Sequence, residues 1–288
     1  MKIHTIECGN FKLDGGAMFG VVPKTLWTRT NPADSNNMID IATRSLLIED
    51  GDSLILIDTG LGDKQSEKFF SYYHLWGDHS LDKSLKTKGF TRDDITDVVL
   101  THLHFDHCGG AVKRSSVEGE YEPAFANARV WSNEAHWQWA VQPNAREKAS
   151  FLKENILPLQ EHGQLNFVEV QEDSWIVDTP LNMEMILVNG HTDKMMLPKI
   201  QYKGHTLVYA ADLIPTAGHL PLVYVMGYDT RPLLTLQEKE RFLEQAWQEN
   251  WVIAFEHDAH NELATLKKTD RGIQIDALHT YKEIFGED

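Results

Sequence analysis

Three histidines and one aspartate lie within six residues, in the segment His102-Leu103-His104-Phe105-Asp106-His107. Imidazole nitrogens and carboxylate oxygens suit zinc, manganese, iron or cobalt. Residues two apart in an extended segment project to the same side, so His102 and His104 can share one metal ion. Asp106 and His107 can face a second ion once the chain turns. The segment therefore predicts a metal site, and its alternative is a solvated surface loop.

More ligands must complete two metal sites, and three candidates follow predicted strands, where loops gather catalytic groups. They are His191 after Met185–Val188, Asp212 at the end of residues 198–212, and His257 after Trp251–Phe255. His260 competes with His257 as the last ligand. His257 is favoured because it follows the apolar strand closely.

The remaining histidines and Cys108 are weighed against simpler roles. His219 could line a pocket or be a hydrogen-bonded structural histidine. Cys108 is expected to be a buried small side chain and not a soft ligand. The other histidines singled out are expected to be solvated or capping residues; they are His136, His162, His205 and His279.

Two stretches of the chain share one plan. Residues 45–58 predict two strands around a turn at Asp50-Gly51, and the second strand ends in Asp58. Residues 198–212 repeat the arrangement, with a turn at Lys203-Gly204 and an aspartate, Asp212, at the end.

Other elements position the histidine segment and complete the fold. Val98–Leu100 predicts a short buried strand that leads into the segment, and Gly109-Gly110 would let the chain bend into a helix after it. Thr235 and Glu238 resemble a capping box that opens a helix through about Glu249. A last helix is predicted over Ile273–Ile284.

The composition limits the possible partners. The chain of 288 residues has 42% apolar residues and a formal net charge of −16, which suits a single packed domain over residues 1–288 and disfavours nucleic acid as a partner. No apolar run is long enough for a membrane span. Two distant cysteines, Cys8 and Cys108, and the absence of a signal-like start predict a cytoplasmic protein without disulfides.

The histidine segment resembles the metallo-β-lactamase superfamily, whose histidine-x-histidine-x-aspartate-histidine signature is matched in full by His102 to His107. The resemblance extends from Asp58-Thr59-Gly60 through His257-Asp258. It implies an α/β fold, a four-layer αββα sandwich of two mixed sheets flanked by helices. Asp58 would be an outer residue that steadies the ligand loop, or else a plain turn aspartate.

The resemblance also implies ligand roles and a hydrolytic reaction. One metal ion would be held by His102, His104 and His191, the other by Asp106, His107 and His257, and Asp212 would bridge the two. Two divalent ions, zinc first and manganese, iron or cobalt as alternatives, would create a bridging hydroxide that attacks the substrate. Asp106 would carry a proton to the leaving group.

Within the superfamily, the chain looks most like N-acyl homoserine lactone lactonases, which are quorum-quenching enzymes, and related organophosphate hydrolases. Those lactonases carry a tyrosine three residues after the bridging aspartate, where this chain has Pro215; Tyr224 or Tyr228 could replace it or belong to the core. The aromatic residues 69–76 could form the wall of an acyl-chain pocket, or a helix packed on the sheet or a homodimer contact.

The expected activity is hydrolysis of a small-molecule ester, and a lactone is the favoured substrate. Phosphotriester hydrolysis and glyoxalase-II-like thioester hydrolysis are the alternative reactions. A third interpretation is a metal-binding protein without enzymatic activity. The complete set of candidate ligands argues against it.

Overall fold

The computed structural model describes residues 1–286 and contains mixed β-sheets with helices. The strands are β1 Lys2–Asp14, β2 Met38–Asp50, β3 Ser53–Ile57, β4 Asp97–Val99, β5 Val112–Arg114, β6 Tyr121–Pro123, β7 Arg129–Asn133, β8 Leu165–Val168, β9 Ile176–Asp178, β10 Glu184–Val188, β11 Met195–Tyr202, β12 His205–Tyr209, β13 Val252–Ala254, β14 Leu263–Thr269 and β15 Gly272–His279. The α-helices are α1 Gly15–Phe19, α2 Lys24–Trp27, α3 Glu67–Ser71, α4 Leu81–Thr87, α5 Phe105–Cys108, α6 Glu134–Val141, α7 Lys153–Glu161, α8 Pro232–Gln248 and α9 Tyr281–Phe285.

The chain folds into two compact units, each built from two separate stretches of sequence. Unit 1 comprises Met1–Asn10 and Thr43–Asp173, and unit 2 comprises Phe11–Ala42 and the described chain from Ser174 onward. The prediction of a single domain over residues 1–288 stays a prediction.

Unit 1 contains most of a six-stranded sheet with the order β1-β2-β3-β4-β7-β8. β2 and β3 form an antiparallel hairpin, whereas β3, β4, β7 and β8 run parallel to one another. Its core combines apolar side chains from strands, helices and a loop, such as Leu56, Val98, Ile156 and the loop residue Phe125. Strand β4 and residues Leu54–Ile57 of β3 are buried on both faces, as expected for parallel strands inside a sheet.

Unit 2 contains a seven-stranded sheet with the order β15-β14-β13-β12-β11-β10-β9. β12 and β13 are its parallel pair, and its other neighbouring strands are antiparallel. Helix α8 contacts β14 and β15. Among residues 1–286, no helix has the length and hydropathy that a membrane span requires.

Both predicted hairpins are confirmed. The first turn lies at Gly51, whose φ is 61°, and the second at Lys203-Gly204, with φ values of 47° and 80°. Left-handed backbone of this kind is what a tight hairpin turn needs.

Two predictions about helices are wrong. Residues 273–279 belong to strand β15, because Ile273, Ile275 and Ala277 alternate with polar residues at the period of a strand, and only α9 is helical there. The helix α8 begins earlier than predicted, with Arg231 as N-cap and Pro232 in its first turn. Thr235 therefore lies inside that helix and is not its N-cap.

Candidate metal centre

In unit 1, the edge at which parallel strands β3 and β4 end brings Asp58 close to the start of the histidine segment. Ile57 is paired with Val99 in the register of these strands, and the Asp58 backbone N–H donates to the Val99 carbonyl at 2.9 Å. Parallel strands end at the same edge of a sheet, so the residues after Ile57 and after Val99 become neighbours. Asp58 adopts a φ of 56°, which turns the chain at this edge.

The buried Asp58 carboxylate accepts three hydrogen bonds from Thr101 and the histidine segment. Thr101 donates its backbone N–H to Oδ1 at 2.8 Å and its hydroxyl to Oδ2 at 2.7 Å. His107 Nδ1 lies 3.1 Å from Oδ2 and donates to it, which places the lone pair of neutral His107 on Nε2. Asp58 thus steadies the loop and selects the tautomer of His107 that can bind a metal ion.

His102 and His104 direct one ring nitrogen each at the same place. His102 Nε2 lies 3.0 Å from His104 Nδ1. His102 Nδ1 lies 3.2 Å from the Thr101 hydroxyl oxygen, whose proton goes to Asp58, so Nδ1 is the donor and Nε2 carries the lone pair. Two ligands bound tetrahedrally at about 2.0 Å from zinc lie roughly 3.3 Å apart, so this pair suits one ion.

A carboxylate that sequence reasoning missed lies behind His104. Glu147 is 3% exposed, and its Oε1 lies 3.4 Å from His104 Nε2. The Trp139 indole N–H and the Asn144 amide donate to its Oε2 and hold the carboxylate in place. A carboxylate at the far nitrogen orients a histidine ligand and makes it more basic.

Replacing Glu147 with glutamine should therefore weaken metal binding by about 10- to 100-fold, the range usual for such outer partners. Competition with a fluorescent zinc chelator measures this change. Glu161→Gln, an exposed glutamate of the same unit, is the matched control and should bind metal normally. Equal metal affinity in Glu147→Gln and the wild type would exclude this role for Glu147.

The backbone of the loop is fixed as firmly as its side chains. Leu103 donates its N–H to His136 Nε2 at 2.9 Å, so the prediction that His136 is a solvated or capping residue is wrong: it is fully buried. Gly109 and Gly110 allow their backbone to pack closely against residues 59–61. A Cβ at Gly109 would lie 2.1 Å from the Leu61 carbonyl oxygen, and one at Gly110 would lie 2.3 Å from that of Thr59. Gly109 itself has an ordinary helical φ of −58°.

The side chains between the predicted ligands pack into the core. Leu103 and Cys108 belong to the core of unit 1. The Cys108 thiol contacts the Leu103 carbonyl at 3.3 Å, and burial raises its pKa to about 12. The expectation of a buried small side chain at this position is confirmed.

In unit 2, the register of the parallel strands β12 and β13 places Asp212 beside His257. Tyr209 pairs with Ala254, and each of the two predicted ligands follows its strand by the same three residues. His257 Nε2 lies 3.1 Å from Asp212 Oδ1. His260 is exposed, whereas His257 is 2% exposed.

The two carboxylate oxygens of Asp212 each face a different histidine. Oδ1 faces His257, and Oδ2 lies 3.0 Å from His191 Nε2. The opposite ring nitrogens have acceptors, since His257 Nδ1 donates to the Ala42 carbonyl at 2.8 Å and His191 Nδ1 to Asp229 at 3.0 Å. A carboxylate with one histidine at each oxygen has the donor arrangement of a ligand that bridges two ions.

The charges around His191 favour a cation at its Nε2. Burial alone would lower the pKa of His191, but the charges and hydrogen bonds of Asp212 and Asp229 outweigh burial and raise that pKa to about 10. Glu238, missed as a functional residue, accepts from the backbone N–H groups of Asn189 and Gly190 at 2.7 and 2.9 Å. It thereby fixes the turn that presents His191.

Of the two alternatives for His219, the structure supports a hydrogen-bonded structural histidine. Its ring stacks on Phe19 at 4.1 Å, its Nε2 donates to the Met18 carbonyl at 3.0 Å, and its Nδ1 lies 2.8 Å from the Thr216 hydroxyl. Burial lowers its pKa to about 3, so the ring is neutral.

The sequence profile of the metallo-beta-lactamase superfamily matches residues 39–257, which include the whole histidine segment and the later ligand candidates. The chain belongs to this superfamily. Its fold class, expected from the resemblance, is confirmed, and the chain is a metal-dependent hydrolase of the metallo-β-lactamase type.

Characterised relatives of this superfamily are lactonases at low identity. An N-acyl homoserine lactonase of Bacillus thuringiensis is 23% identical over 273 residues, which cover 91% of this chain and 94% of the relative. An N-acyl homoserine lactonase, AiiB, of Agrobacterium fabrum is 30% identical over 118 residues, 38% of this chain and 42% of the relative.

Solved structures share the fold over almost the whole chain. A protein of Staphylococcus aureus described as a "probable metal-dependent hydrolase" has a TM-score of 0.85 and 29% identity, covering 96% of this chain and 95% of that one. AidC, a dizinc quorum-quenching lactonase solved with a product, has a TM-score of 0.77 and 21% identity, covering 96% and 94%.

Proposed function

We propose that this member of the metallo-β-lactamase superfamily is a dinuclear lactonase. Its two ions would be zinc, with manganese, iron or cobalt as alternatives. The proposed ligands are His102, His104 and His191 for one ion, Asp106, His107 and His257 for the other, and Asp212 for both. The donor chemistry supports this set. Zinc binds histidine nitrogens that carry a lone pair and carboxylate oxygens such as those of Asp212.

When bound, a pair of divalent ions lowers the pKa of a water molecule and polarises the carbonyl under attack. The chain supplies the positions of the ligands and the proton transfer. Asp106 is 8% exposed, and its Oδ2 lies 3.9 Å from His107 Nε2. We assign to this carboxylate the transfer of a proton from the attacking water or hydroxide to the alkoxide oxygen that leaves when the ring ester opens.

The observation that carries the lactone proposal is an aromatic cluster beside Asp106 in unit 1. The rings of Phe69 and Tyr73 lie 5.5 and 4.9 Å from the ring of Phe105, and 5.0 Å from each other. Phe69 and Tyr73 are half-buried. Burial and then the charge of Asp106 raise the pKa of Tyr73 to about 12, so its hydroxyl stays neutral.

Aromatic side chains with an exposed edge next to the proton-carrying carboxylate suit the acyl chain of an ester substrate. Of the three roles weighed for residues 69–76, we therefore favour the pocket wall. The names of the relatives point to the same class of substrate. Pro215 cannot donate a hydrogen bond to the carbonyl, so in this protein that oxygen would depend on the metal ions.

A substrate panel tests the proposal on protein of measured metal content. It contains homoserine lactones of several acyl lengths, a paraoxon-type phosphotriester and a thioester. Turnover of the lactones with the highest kcat/KM is the expected result. Rapid turnover of the phosphotriester or thioester with inert lactones would overturn the lactonase assignment and favour one of the alternative hydrolases.

Truncating Phe69 should reveal the acyl-chain wall. In Phe69→Ala, kcat/KM for a decanoyl homoserine lactone should fall by about ten-fold, because the apolar contact with the chain is lost. The value for a butanoyl lactone should change by less than about three-fold. Tyr72→Ala, which removes a 61% exposed ring from the same segment, is the control. An equal loss for both lactones would argue against a chain-binding wall.

We further propose that the partner is a small molecule and that the protein acts in the cytoplasm. Light scattering of the metal-loaded protein at several concentrations tests whether the chain forms a homodimer.

A further inference from the structure

Unit 2 contains a cleft of about 750 Å³ whose lining includes none of the seven proposed ligands. Its walls come from the end of α2, the loop 217–224, helix α8 and the hairpin of β14 and β15. This volume lies within the usual range for sites that bind small molecules. The cleft is therefore large enough to bind a ligand of its own.

The walls of the cleft are mainly apolar. Ile273 and Ile275 lie two residues apart on β15, at the edge of the sheet, so they face the same side of that strand. Both are only partly buried, as is Leu222 of the loop. Leu220 and Leu243 are buried and extend the apolar lining inward. An aliphatic chain in this cleft would cover apolar surface that is now partly exposed.

The loop wall is held rigidly. Lys239 is buried in α8, and its ammonium donates to the carbonyls of Pro221 and Tyr224, at 2.9 Å each, and to that of His219. On the other side, a Cβ at Gly218 would lie 2.0 Å from Asn31 Oδ1, so the loop presses closely on the turn after α2. Contacts within the protein thus fix the wall, which reduces the entropic cost of binding.

The rim carries cations that have no partner. Among residues 1–286, the guanidinium groups of Arg29 and Arg271 make no hydrogen bond or ion pair, and both residues are exposed. Lys268, the third cation, is already paired with Glu244 at 2.8 and 3.1 Å. Glu240 is the remaining carboxylate of the lining, so Arg29, Arg271 and Glu240 together carry a net charge of +1. The chain as a whole has a net charge of −16.

We propose that this cleft binds an amphipathic anion, an aliphatic chain that ends in a carboxylate. The chain would lie along Ile273 and Ile275, and the carboxylate would pair with Arg29 and Arg271. Guanidinium groups match carboxylates with two parallel hydrogen bonds, which an alcohol or ammonium head group cannot form. The inference does not depend on the reaction proposed above.

Decanoate, titrated into metal-loaded protein labelled at isoleucine methyl groups, tests the site. The Ile273 and Ile275 signals, assigned with Ile→Val variants, should shift saturably, and calorimetry should give the same affinity. Arg271→Gln and Arg29→Gln should each weaken binding at these signals by about ten-fold. Lys267→Gln, which removes a cation from the same hairpin outside the cleft, should leave it unchanged.

Three results would overturn the proposal. The first is decanoate that shifts neither isoleucine signal, even if it binds elsewhere, for example at the metal ions. The second is decylammonium that binds the cleft as tightly as decanoate. The third is isoleucine signals that shift with protein concentration and not with decanoate, which would identify the cleft as a contact between two copies of the chain.

Discussion

Replacing Asp212 with alanine should lower kcat/KM for lactones by at least on the order of 10³-fold, the largest effect expected for any single substitution. The reason is geometric, because its two oxygens face His191 Nε2 and His257 Nε2 at 3.0 and 3.1 Å. Both proposed ions would lose a ligand at once. Stopped-flow or steady-state assays of lactone opening measure the loss.

The metal content of Asp212→Ala separates a bridging ligand from a general contribution to the fold. We expect fewer than two ions per chain by mass spectrometry, with a circular dichroism spectrum like that of the wild type. Asp178→Ala, an exposed aspartate in the same unit, should keep both activity and metal. An Asp212→Ala protein that holds two ions and turns over lactones normally would contradict the bridge.

The position of the histidine segment at the end of a buried strand could be predicted from the sequence, because the pattern that indicates it is local. The register that brings Asp58 to Thr101 depends on two short strands of apolar residues, and both strands are visible as sequence patterns. The same holds for Asp212 and His257, which follow the parallel strands β12 and β13 at equal distance. Residues that directly follow a strand inherit their position from the sheet.

The carboxylates that contact His104 and His191 could not be predicted, since each is distant from its histidine in the sequence. Glu147 lies 43 residues beyond His104, and Asp229 lies 38 residues beyond His191. Nothing in their local sequence distinguishes either from the rest of the chain's 43 acidic residues. Only the tertiary fold determines which carboxylate reaches a histidine.

Glu238 shows how a local rule can mislead. Its spacing from Thr235 fits a capping box, yet its carboxylate accepts from the backbone of Asn189 and Gly190. Gly190 is itself pressed against the helix, since a Cβ there would lie 2.3 Å from Thr235 Oγ1. The residues that resemble a helix cap are used instead to fix the turn before His191.

Substitution of Asp58 should affect stability and metal binding together. Asparagine is the informative replacement, because it tolerates the φ of 56° at this position far better than alanine does. Its carbonyl oxygen can still accept from the Thr101 N–H. Its amide group, however, must then face the Thr101 hydroxyl and His107 Nδ1, both of which donate to Asp58 Oδ2 in the native protein.

Unsatisfied donors in a fully buried site cost about 1–3 kcal/mol each, so Asp58→Asn should lower the free energy of unfolding by roughly 2–4 kcal/mol. Urea titration of protein kept metal-free with a chelator measures this cost without the contribution of bound ions. After refolding with zinc, the affinity should be about 10- to 100-fold weaker, because His107 loses the acceptor that selects its tautomer. Asp52→Asn, an exposed aspartate just before β3, should change neither quantity. A stable Asp58→Asn protein with normal zinc affinity would mean that the loop holds its shape without this carboxylate.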